Sequence, residues 1–264
     1  MRTNHVIHMG LLALACLTAC VDQSPTQPSA NALIVHSVLD PSTRDQYVFV
    51  QSTTGAINQQ KPVAGATVVI TTPDGRALAA EQVNDASLFA VGHDEVPMTS
   101  AYRVSLDRYN TALVAGGTYQ LHVTVPDGRI VTGTTTIPNI DVPAIVPVSQ
   151  TLDRLHDTLA LAWPSRVGVR VYEVYVASSR STFSAFVDTS IVLPGTAHNA
   201  SGGLAFIAGL THQVVVNAVD DNYYDYYRRG SDPFTGSGII NHLQGGIGVF
   251  GSVVRIAFRT VSVH

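Results

Sequence analysis

The chain has 264 residues, of which 45% are hydrophobic and 13% charged, and its formal net charge is −4. This length suits one large domain or two domains of the usual ~100–200 residues, and the apolar fraction excludes a disordered chain. The acidic balance and the single lysine, Lys61, argue against a protein that binds nucleic acid through a basic face. No apolar run approaches the ~20 residues of a membrane-spanning helix.

The N-terminal residues predict export and attachment to lipid. Met9–Leu17 is a short apolar stretch that follows a mildly basic start, which is typical of a signal peptide. It leads into Leu17-Thr18-Ala19-Cys20, which resembles the bacterial lipoprotein box, where cleavage precedes a cysteine that carries the lipid. We therefore expect residues 1–19 to be a signal peptide and Cys20 to be acylated, the alternative being an ordinary signal peptide with a stray cysteine.

Lipidation predicts where the protein lies. Single acyl chains bind membranes only marginally, so two or three chains on Cys20 would hold the protein on the membrane. Val21 follows the cysteine instead of aspartate, which favours the outer membrane over the inner one. Residues 20–31 are rich in Ser, Pro and Gln and predict a flexible tether. With Cys16 removed and Cys20 acylated, no disulfide is expected in the mature chain.

The rest of the chain predicts an all-β protein built from two antiparallel sandwiches in tandem. Apolar residues alternate with period two in many short runs, whereas no run keeps a helical period. These runs include Leu33-x-Val35, Val48-x-Val50, Val68-x-Ile70, Leu121-x-Val123-x-Val125 and Ile130-x-Thr132. Pro73-Asp74-Gly75 and Pro126-Asp127-Gly128 predict hairpin turns. Residues 84–100 are the one candidate for a short helix or a loop excursion.

Residues 32–141 predict the first sandwich. The motif at Pro62–Ile70 (PVAGATVVI) resembles prealbumin-like and carboxypeptidase-regulatory-like Ig-type domains. Leu113-x-x-Gly116-Gly117-Thr118-Tyr119 is close to a tyrosine corner, in which the phenol bonds back to the backbone. A proline-spaced passage from Ile137 to Pro147 predicts the boundary, because proline resists both helix and central strand.

Residues 142–264 predict the second sandwich. The order of a Trp163 strand, a Tyr-rich strand over 171–176 and a strand after Gly209-Leu210 resembles fibronectin type III domains. His212 stands where those domains usually have tyrosine. Alternation over 253–263 predicts the closing strand.

The order of motifs along the whole chain resembles a family of bacterial envelope lipoproteins known only as a domain of unknown function. The resemblance includes the lipoprotein box, the PVxGAxV motif, the Tyr-rich segment 223–227, Asp232-Pro233-Phe234 and the glycine-rich segment 241–251. The glycines of that last segment are Gly245, Gly246, Gly248 and Gly251. The resemblance implies a location in the cell envelope and a fold, and it implies no particular biochemical activity.

Several residue clusters are candidate sites. Gly246–Gly251 spells G-x-G-x-x-G, but a strand-like run follows it and favours a tight turn over a dinucleotide site. Asp220, Asp221, Asn222 and Asp225 offer oxygen ligands for Ca²⁺ or form a solvated loop. The scattered histidines lack zinc spacing, and no nucleophile elbow is present. We therefore predict no cofactor and no metal.

A cluster of aromatic and basic residues is the strongest candidate for a contact surface with a protein or a glycan, since Tyr and Arg are enriched at binding hot spots. Its members are Tyr223, Tyr224, Tyr226, Tyr227, Arg228 and Arg229. If these tyrosines alternate on a strand, they would instead pack on the sandwich core.

The sequence predicts a non-enzymatic, lipid-anchored outer-membrane protein that displays two β-sandwich modules for protein or glycan contact. A narrower form of this prediction makes it an accessory to an outer-membrane β-barrel transporter. The first alternative is an envelope hydrolase with a site between the two sandwiches. The second is a structural lipoprotein that supports the envelope without binding a ligand.

Overall fold

A computed structural model describes residues 31–54, 60–83, 101–140, 148–199, 202–228 and 240–264. These residues form sixteen strands and one short helix, so the prediction of an all-β sandwich fold is confirmed. The signal peptide, Cys20, the tether up to residue 30, residues 84–100, residues 141–147 and Asp232-Pro233-Phe234 lie outside the described residues. Within the described ranges, no helix has the length and apolarity needed to cross a membrane.

The first sandwich contains nine strands in two layers. They are β1 (Leu33–Leu39), β2 (Asp45–Thr53), β3 (Gln60–Pro62), β4 (Thr67–Thr71), β5 (Ala77–Ala79), β6 (Glu81–Val83), β7 (Ala101–Ser105), β8 (Thr118–Thr124) and β9 (Ile130–Thr136). One layer has the strand order β5-β4-β8-β9, and the other has β1-β2-β7-β6 with β3 paired to β2.

Two hairpin turns of this sandwich have the same construction, as the Pro-Asp-Gly motifs predict. In the β4–β5 turn the backbone N–H of Gly75 donates to Thr72 (2.9 Å), and in the β8–β9 turn that of Gly128 donates to Val125 (2.9 Å). Gly75 has φ +84 and Gly128 has φ +88, a backbone conformation that glycine adopts without steric cost.

The second sandwich contains β10 (Val148–Leu152), β11 (Thr158–Ala162), β12 (Val171–Ala177), β13 (Thr182–Val187), β14 (Ser190–Pro194), β15 (Thr211–Val219) and part of β16 (Ile247–Val263). One layer is β13-β12-β15-β16, with β10 also paired to β16, and the other layer is the two-stranded sheet β11-β14. Trp163 follows β11 and packs edge-to-face on Tyr172, with ring centroids 5.4 Å apart.

The last strand belongs to both sandwiches. Residues 247–252 of β16 pair in parallel with β1, whereas residues 253–262 pair antiparallel with β15. The end of β16 also pairs in parallel with β10. From the sequence we expect the whole of β16 in the second sandwich, with antiparallel pairing throughout. A period of two marks strands but carries no information about the direction of their partners, which is why these parallel pairs were not predicted.

The two sandwiches contain related corners. The backbone N–H of Val114 donates to the Tyr119 hydroxyl (2.8 Å), which is the tyrosine corner that the sequence predicts. In the second sandwich the backbone N–H of Ile207 donates to Nε2 of His212 (3.1 Å). Both acceptors lie five residues after the donor, and both side chains are fully buried.

Candidate functional site

The tyrosine-rich segment forms a helix, α1 (Asp221–Tyr227). The sequence suggests a strand for the tyrosines and a solvated loop for the acidic residues, and the helix corrects both expectations. Asp220 is the N-cap, and its side chain accepts from the backbone N–H of Tyr223 (2.9 Å). With a helical period, Tyr223 and Tyr227 fall on one face, and their ring centroids are 4.4 Å apart.

Two of the predicted surface residues are buried. Tyr223 and Tyr226 are each 5% exposed, so they contribute almost no contact area to a partner. The Tyr223 hydroxyl donates to Oε2 of Glu173 (2.8 Å), a β12 residue that also accepts from Ser184 and Asn217. Burial and the neighbouring Glu173 carboxylate raise the pKa of Tyr223 well above its usual value. This part of the predicted contact surface is corrected, because these side chains hold α1 in the fold.

Tyr224, Tyr227 and Arg228 are partly exposed. The guanidinium carbons of Arg170 and Arg228 lie 5.2 and 5.1 Å from the centroid of the Tyr224 ring. The Tyr227 hydroxyl hydrogen-bonds with Nε2 of His36 on β1. Arg229 lies outside the described residues. Among the described residues, what remains of this predicted surface contacts His36 of the first sandwich and Arg170 of the second.

The acidic cluster at the start of α1 is occupied by protein donors. Asp220 accepts from the Thr135 hydroxyl (2.6 Å) and from the backbone N–H of Ser252 (3.0 Å), in addition to its N-cap bond. Burial raises its pKa. Asp221 pairs with Arg170 (3.2 Å). Among the residues that the structure describes, no three His, Cys, Asp or Glu side chains lie close enough to hold a metal ion.

Two glycines of the C-terminal motif allow close approach between backbones. A Cβ atom on Gly245 would lie 2.1 Å from the carbonyl oxygen of Ile130, and one on Gly248 would lie 2.0 Å from that of Val35. Both glycines also have positive φ, +78 and +124. They are the positions at which the start of β16 meets β9 and β1.

The other two glycines pack against side chains and against α1. A Cβ atom on Gly246 would lie 2.8 Å from Cγ2 of Val131, and one on Gly251 would lie 3.0 Å from the backbone nitrogen of Tyr223. A dinucleotide site requires a helix directly after such glycines, whereas here they open strand β16.

A groove of about 850 Å³ lies on the outer face of the β4-β8-β9 sheet. Along β8, Tyr119, Leu121 and Val123 are buried, whereas Gln120 and His122 are exposed. This alternation places the hydroxyl, amide and imidazole side chains of the sheet on the floor of the groove. The floor consists of Val69, Thr71, Gln120, Leu121, His122, Thr132, Gly133 and Thr134.

The wall of the groove comes from the second half of the chain and consists of Asn222, His242 and Gln244. Gln244 forms a β-bridge with Thr132, with N–H···O distances of 3.0 and 2.8 Å. The Asn222 amide donates to the carbonyl oxygens of Thr134 (2.6 Å) and Phe250 (2.8 Å). The wall is therefore bonded to β9, the edge strand of the floor.

A carboxylate behind the wall orients the imidazole of His242. Nε2 of His242 lies 3.0 Å from Oδ2 of Asp225, and the other carboxylate oxygen of Asp225 pairs with Arg228 (3.1 Å). In a neutral His242 this arrangement puts the proton on Nε2 and leaves Nδ1 as an acceptor. Helix α1 thus supplies one wall residue, Asn222, and positions a second.

A smaller crevice of about 460 Å³ lies where the two sandwiches meet. Its lining includes Thr135 and Pro138 from the first sandwich, Arg170 from the second, and Asp220 and Asp221. A hydrolase with a site between the two sandwiches, the first alternative predicted from the sequence, would use this crevice. Both carboxylates in it already have the protein partners described above.

The groove was not predicted from the sequence. Its floor residues were recognised as strand residues, but outward-facing Thr, Gln and His are also common on solvated sheets. The wall depends on β16 pairing with β1, a contact between residues more than 200 positions apart in sequence. All three wall residues do fall in motifs noted in the sequence, Asn222 in the acidic cluster and both His242 and Gln244 in the glycine-rich segment 241–251.

The chain belongs to the family described as "Domain of unknown function (DUF4249)", whose model matches residues 21–254. A search of curated proteins found no relative. Among solved structures, the fibronectin domains FN1–FN3 of chicken CNTN1 share 13% sequence identity with this chain. That match covers 91% of this chain and 68% of the other at a TM-score of 0.19, and it carries no argument about function.

Proposed function

We propose that this member of the family is a lipid-anchored protein of the outer membrane that binds a protein or a glycan through the groove on its first sandwich. The observation that supports the proposal is the groove itself. Its volume of about 850 Å³ lies within the ~300–1,000 Å³ range of ligand sites. Its lining combines accessible polar side chains from the floor with a wall fixed by hydrogen bonds.

The lipid anchor is the second part of the proposal and rests on the Leu17-Thr18-Ala19-Cys20 motif. We expect the full-length protein, expressed in its natural host, to sediment with outer membranes and to be released by detergent but not by high salt. Mass spectrometry should find acyl chains on Cys20 as the new N-terminus. A Cys20→Ser variant should lose both properties. Recovery of an unmodified Cys20 in the mature wild-type protein would contradict the anchor.

The binding role can be tested in intact cells with a photoreactive amino acid placed in the full-length protein. We expect crosslinks from position 120, on the groove floor, to a specific partner. Position 192 is the matched control, since Val192 is 62% exposed and lies on the two-stranded sheet β11-β14. Absence of crosslinks from position 120, or equal crosslinking from both positions, would contradict a contact role for the groove. A β-barrel protein as the partner would support the narrower role of a transporter accessory.

The hydrolase remains an alternative proposal because the raised pKa of Asp220 at the crevice is a property shared with many catalytic acids. Under this alternative, envelope polysaccharides or peptides would be cleaved by the wild-type protein, and Asp220→Asn would abolish the cleavage. Under the structural alternative, deletion of the gene would weaken the envelope, and crosslinking from position 120 would capture no specific partner.

A further inference from the structure

We infer that the groove binds a neutral, hydroxyl-rich oligosaccharide. This inference rests on the proposed function and names the ligand class of the same site. Three properties of the groove support it. The lining residues that the structure describes include no Lys, Arg, Asp or Glu, the accessible polar side chains offer both donors and acceptors, and β9, the strand edge beside the groove, is already hydrogen-bonded.

The composition of the described lining disfavours strongly ionic ligands. Within the described ranges, the residues that form floor and wall are threonines, amides, histidines, Val69, Leu121 and Gly133, with no Lys, Arg, Asp or Glu among them. The Asp225 carboxylate lies behind His242 and is paired with both His242 and Arg228. An anionic or cationic ligand would lose water in this groove without meeting an opposite charge, which disfavours its binding.

The hydrogen-bonding groups match sugar hydroxyls. In the part of the chain that the structure describes, the side chains of Gln120 and Gln244 make no hydrogen bond, so each offers one acceptor and two donors to a ligand. Thr71, Thr132 and Thr134 add hydroxyls, and Nδ1 of His242 adds an acceptor when the ring is neutral. A hydroxyl group both donates and accepts, so a polyhydroxylated chain can satisfy this mixed set.

An extended peptide fits the site less well. Peptides that bind to sheets usually add a strand at an open edge and use main-chain hydrogen bonds. The edge strand of the floor, β9, is already bonded at Thr132 by Gln244 and at Thr134 by Asn222. Only side chains of the sheet face are left for recognition, and few of them are apolar.

The test is affinity electrophoresis of the detergent-solubilised full-length protein in native gels that contain a single polysaccharide. The neutral probes are soluble starch, lichenan, xyloglucan, galactomannan and dextran, and the anionic probes are polygalacturonate and heparin. We expect at least one neutral polysaccharide to retard the protein and the anionic ones to leave its mobility unchanged.

Variants locate the binding in the groove. Gln120→Ala and His242→Ala should each weaken the retardation by about tenfold, the effect of losing one or two hydrogen bonds to the ligand. Gln213→Ala is the matched control, because Gln213 is an exposed strand residue of the second sandwich, and its retardation should equal that of the wild type. Unfolding midpoints of Gln120→Ala and Gln213→Ala should match the wild type, which separates lost binding from lost folding. The midpoint of His242→Ala should be lower, because Asp225 loses one of its two partners, so Gln120→Ala is the variant that decides the test.

Three results would overturn the inference: no retardation by any neutral probe, retardation by anionic probes alone, or retardation that Gln120→Ala leaves unchanged. These failures differ from failure of the proposed function. If position 120 crosslinks to a protein in cells while no neutral polysaccharide binds, the groove is a contact site for protein and only the glycan assignment is wrong.

Discussion

The imidazole of His212 accepts a hydrogen bond from the backbone N–H of Ile207, and this places a histidine in the role that Tyr119 has in the other sandwich. Unlike a phenol, an imidazole loses this acceptor on protonation. Burial lowers the pKa of His212 below its usual 6.5. The corner of the second sandwich is therefore sensitive to acid, whereas the corner of the first is not.

The first prediction concerns this sensitivity. The unfolded chain protonates His212 at a higher pH than the folded protein does, so the stability contributed by neutral His212 is complete above pH ~6.5 and declines as the pH falls below it. We expect His212→Tyr to flatten this decline in the unfolding free energy between pH 7.5 and 5.5. His212→Phe should cost about 1–3 kcal/mol at pH 7.5, because the N–H of Ile207 is left unpaired.

A control separates His212 from exposed histidines. His156 pairs with Asp153 (2.9 Å), and this carboxylate raises the pKa of His156. Its contribution has the opposite sign and is lost as the pH rises, so His156→Gln should preserve or steepen the acid decline. A decline that His156→Gln removes and His212→Tyr retains would contradict the assignment.

The second prediction concerns the start of β16. Gly248→Ala would put a methyl group 2.0 Å from the carbonyl oxygen of Val35, at φ +124, and should separate β16 from β1. We expect a loss of about 4 kcal/mol or more in denaturant unfolding. The control is Gly75→Ala, at φ +84 with no atom within 4 Å, which should lose only the ~1–2 kcal/mol of the backbone conformation. Equal losses would show that close approach at Gly248 is unimportant.

The third prediction concerns the anchoring of α1 to the second sandwich. Glu173 is 1% exposed, and Tyr223→Phe removes one of the donors to its carboxylate. We expect a loss of about 1.5–3 kcal/mol in unfolding free energy, as for hydrogen bonds to charged groups. Tyr224→Phe, in the same helix, should change stability by less than about 0.5 kcal/mol. A double-mutant cycle with Glu173→Gln should give a coupling energy above about 0.5 kcal/mol, and additivity would refute the contact.

The fourth prediction concerns the groove wall. The Asn222 amide donates to two carbonyl oxygens, on β9 and on β16, and both bonds need a donor. Asn222→Ala should cost about 1–3 kcal/mol, and Asn222→Asp should cost more because a carboxylate would face two carbonyl oxygens. Asn139→Asp is the control for the added charge, since Asn139 is exposed and its side chain makes no hydrogen bond within the described residues. Denaturation midpoints that match for the two aspartate variants would contradict the bridge.

Local features of the fold were predictable because the signals are local. Alternation fixes which residues of β8 face inwards, Pro-Asp-Gly fixes two hairpins, and the spacing before Tyr119 fixes the corner. Helix α1 was not predicted, although Asp220 is a good N-cap residue. Seven residues that include four tyrosines have little helical propensity of their own. Contacts with Glu173 and His36 stabilise the helix instead.

The site was less predictable than the fold. The glycines of β16 were expected to mark close backbone packing, but the sequence does not say which strand they approach. The groove exists only because that approach brings His242 and Gln244 to the edge of β9. Pairing partners so distant in sequence leave no trace in the local pattern of either segment.

The double membership of β16 has a consequence for the order in which the protein is completed. Val35 leaves the ribosome well before its parallel neighbour, Gly248, because more than 200 residues separate the two in sequence. The first sandwich therefore waits with an unpaired β1 edge while the second is synthesised, and non-local pairing of this kind is slow and exposed to aggregation.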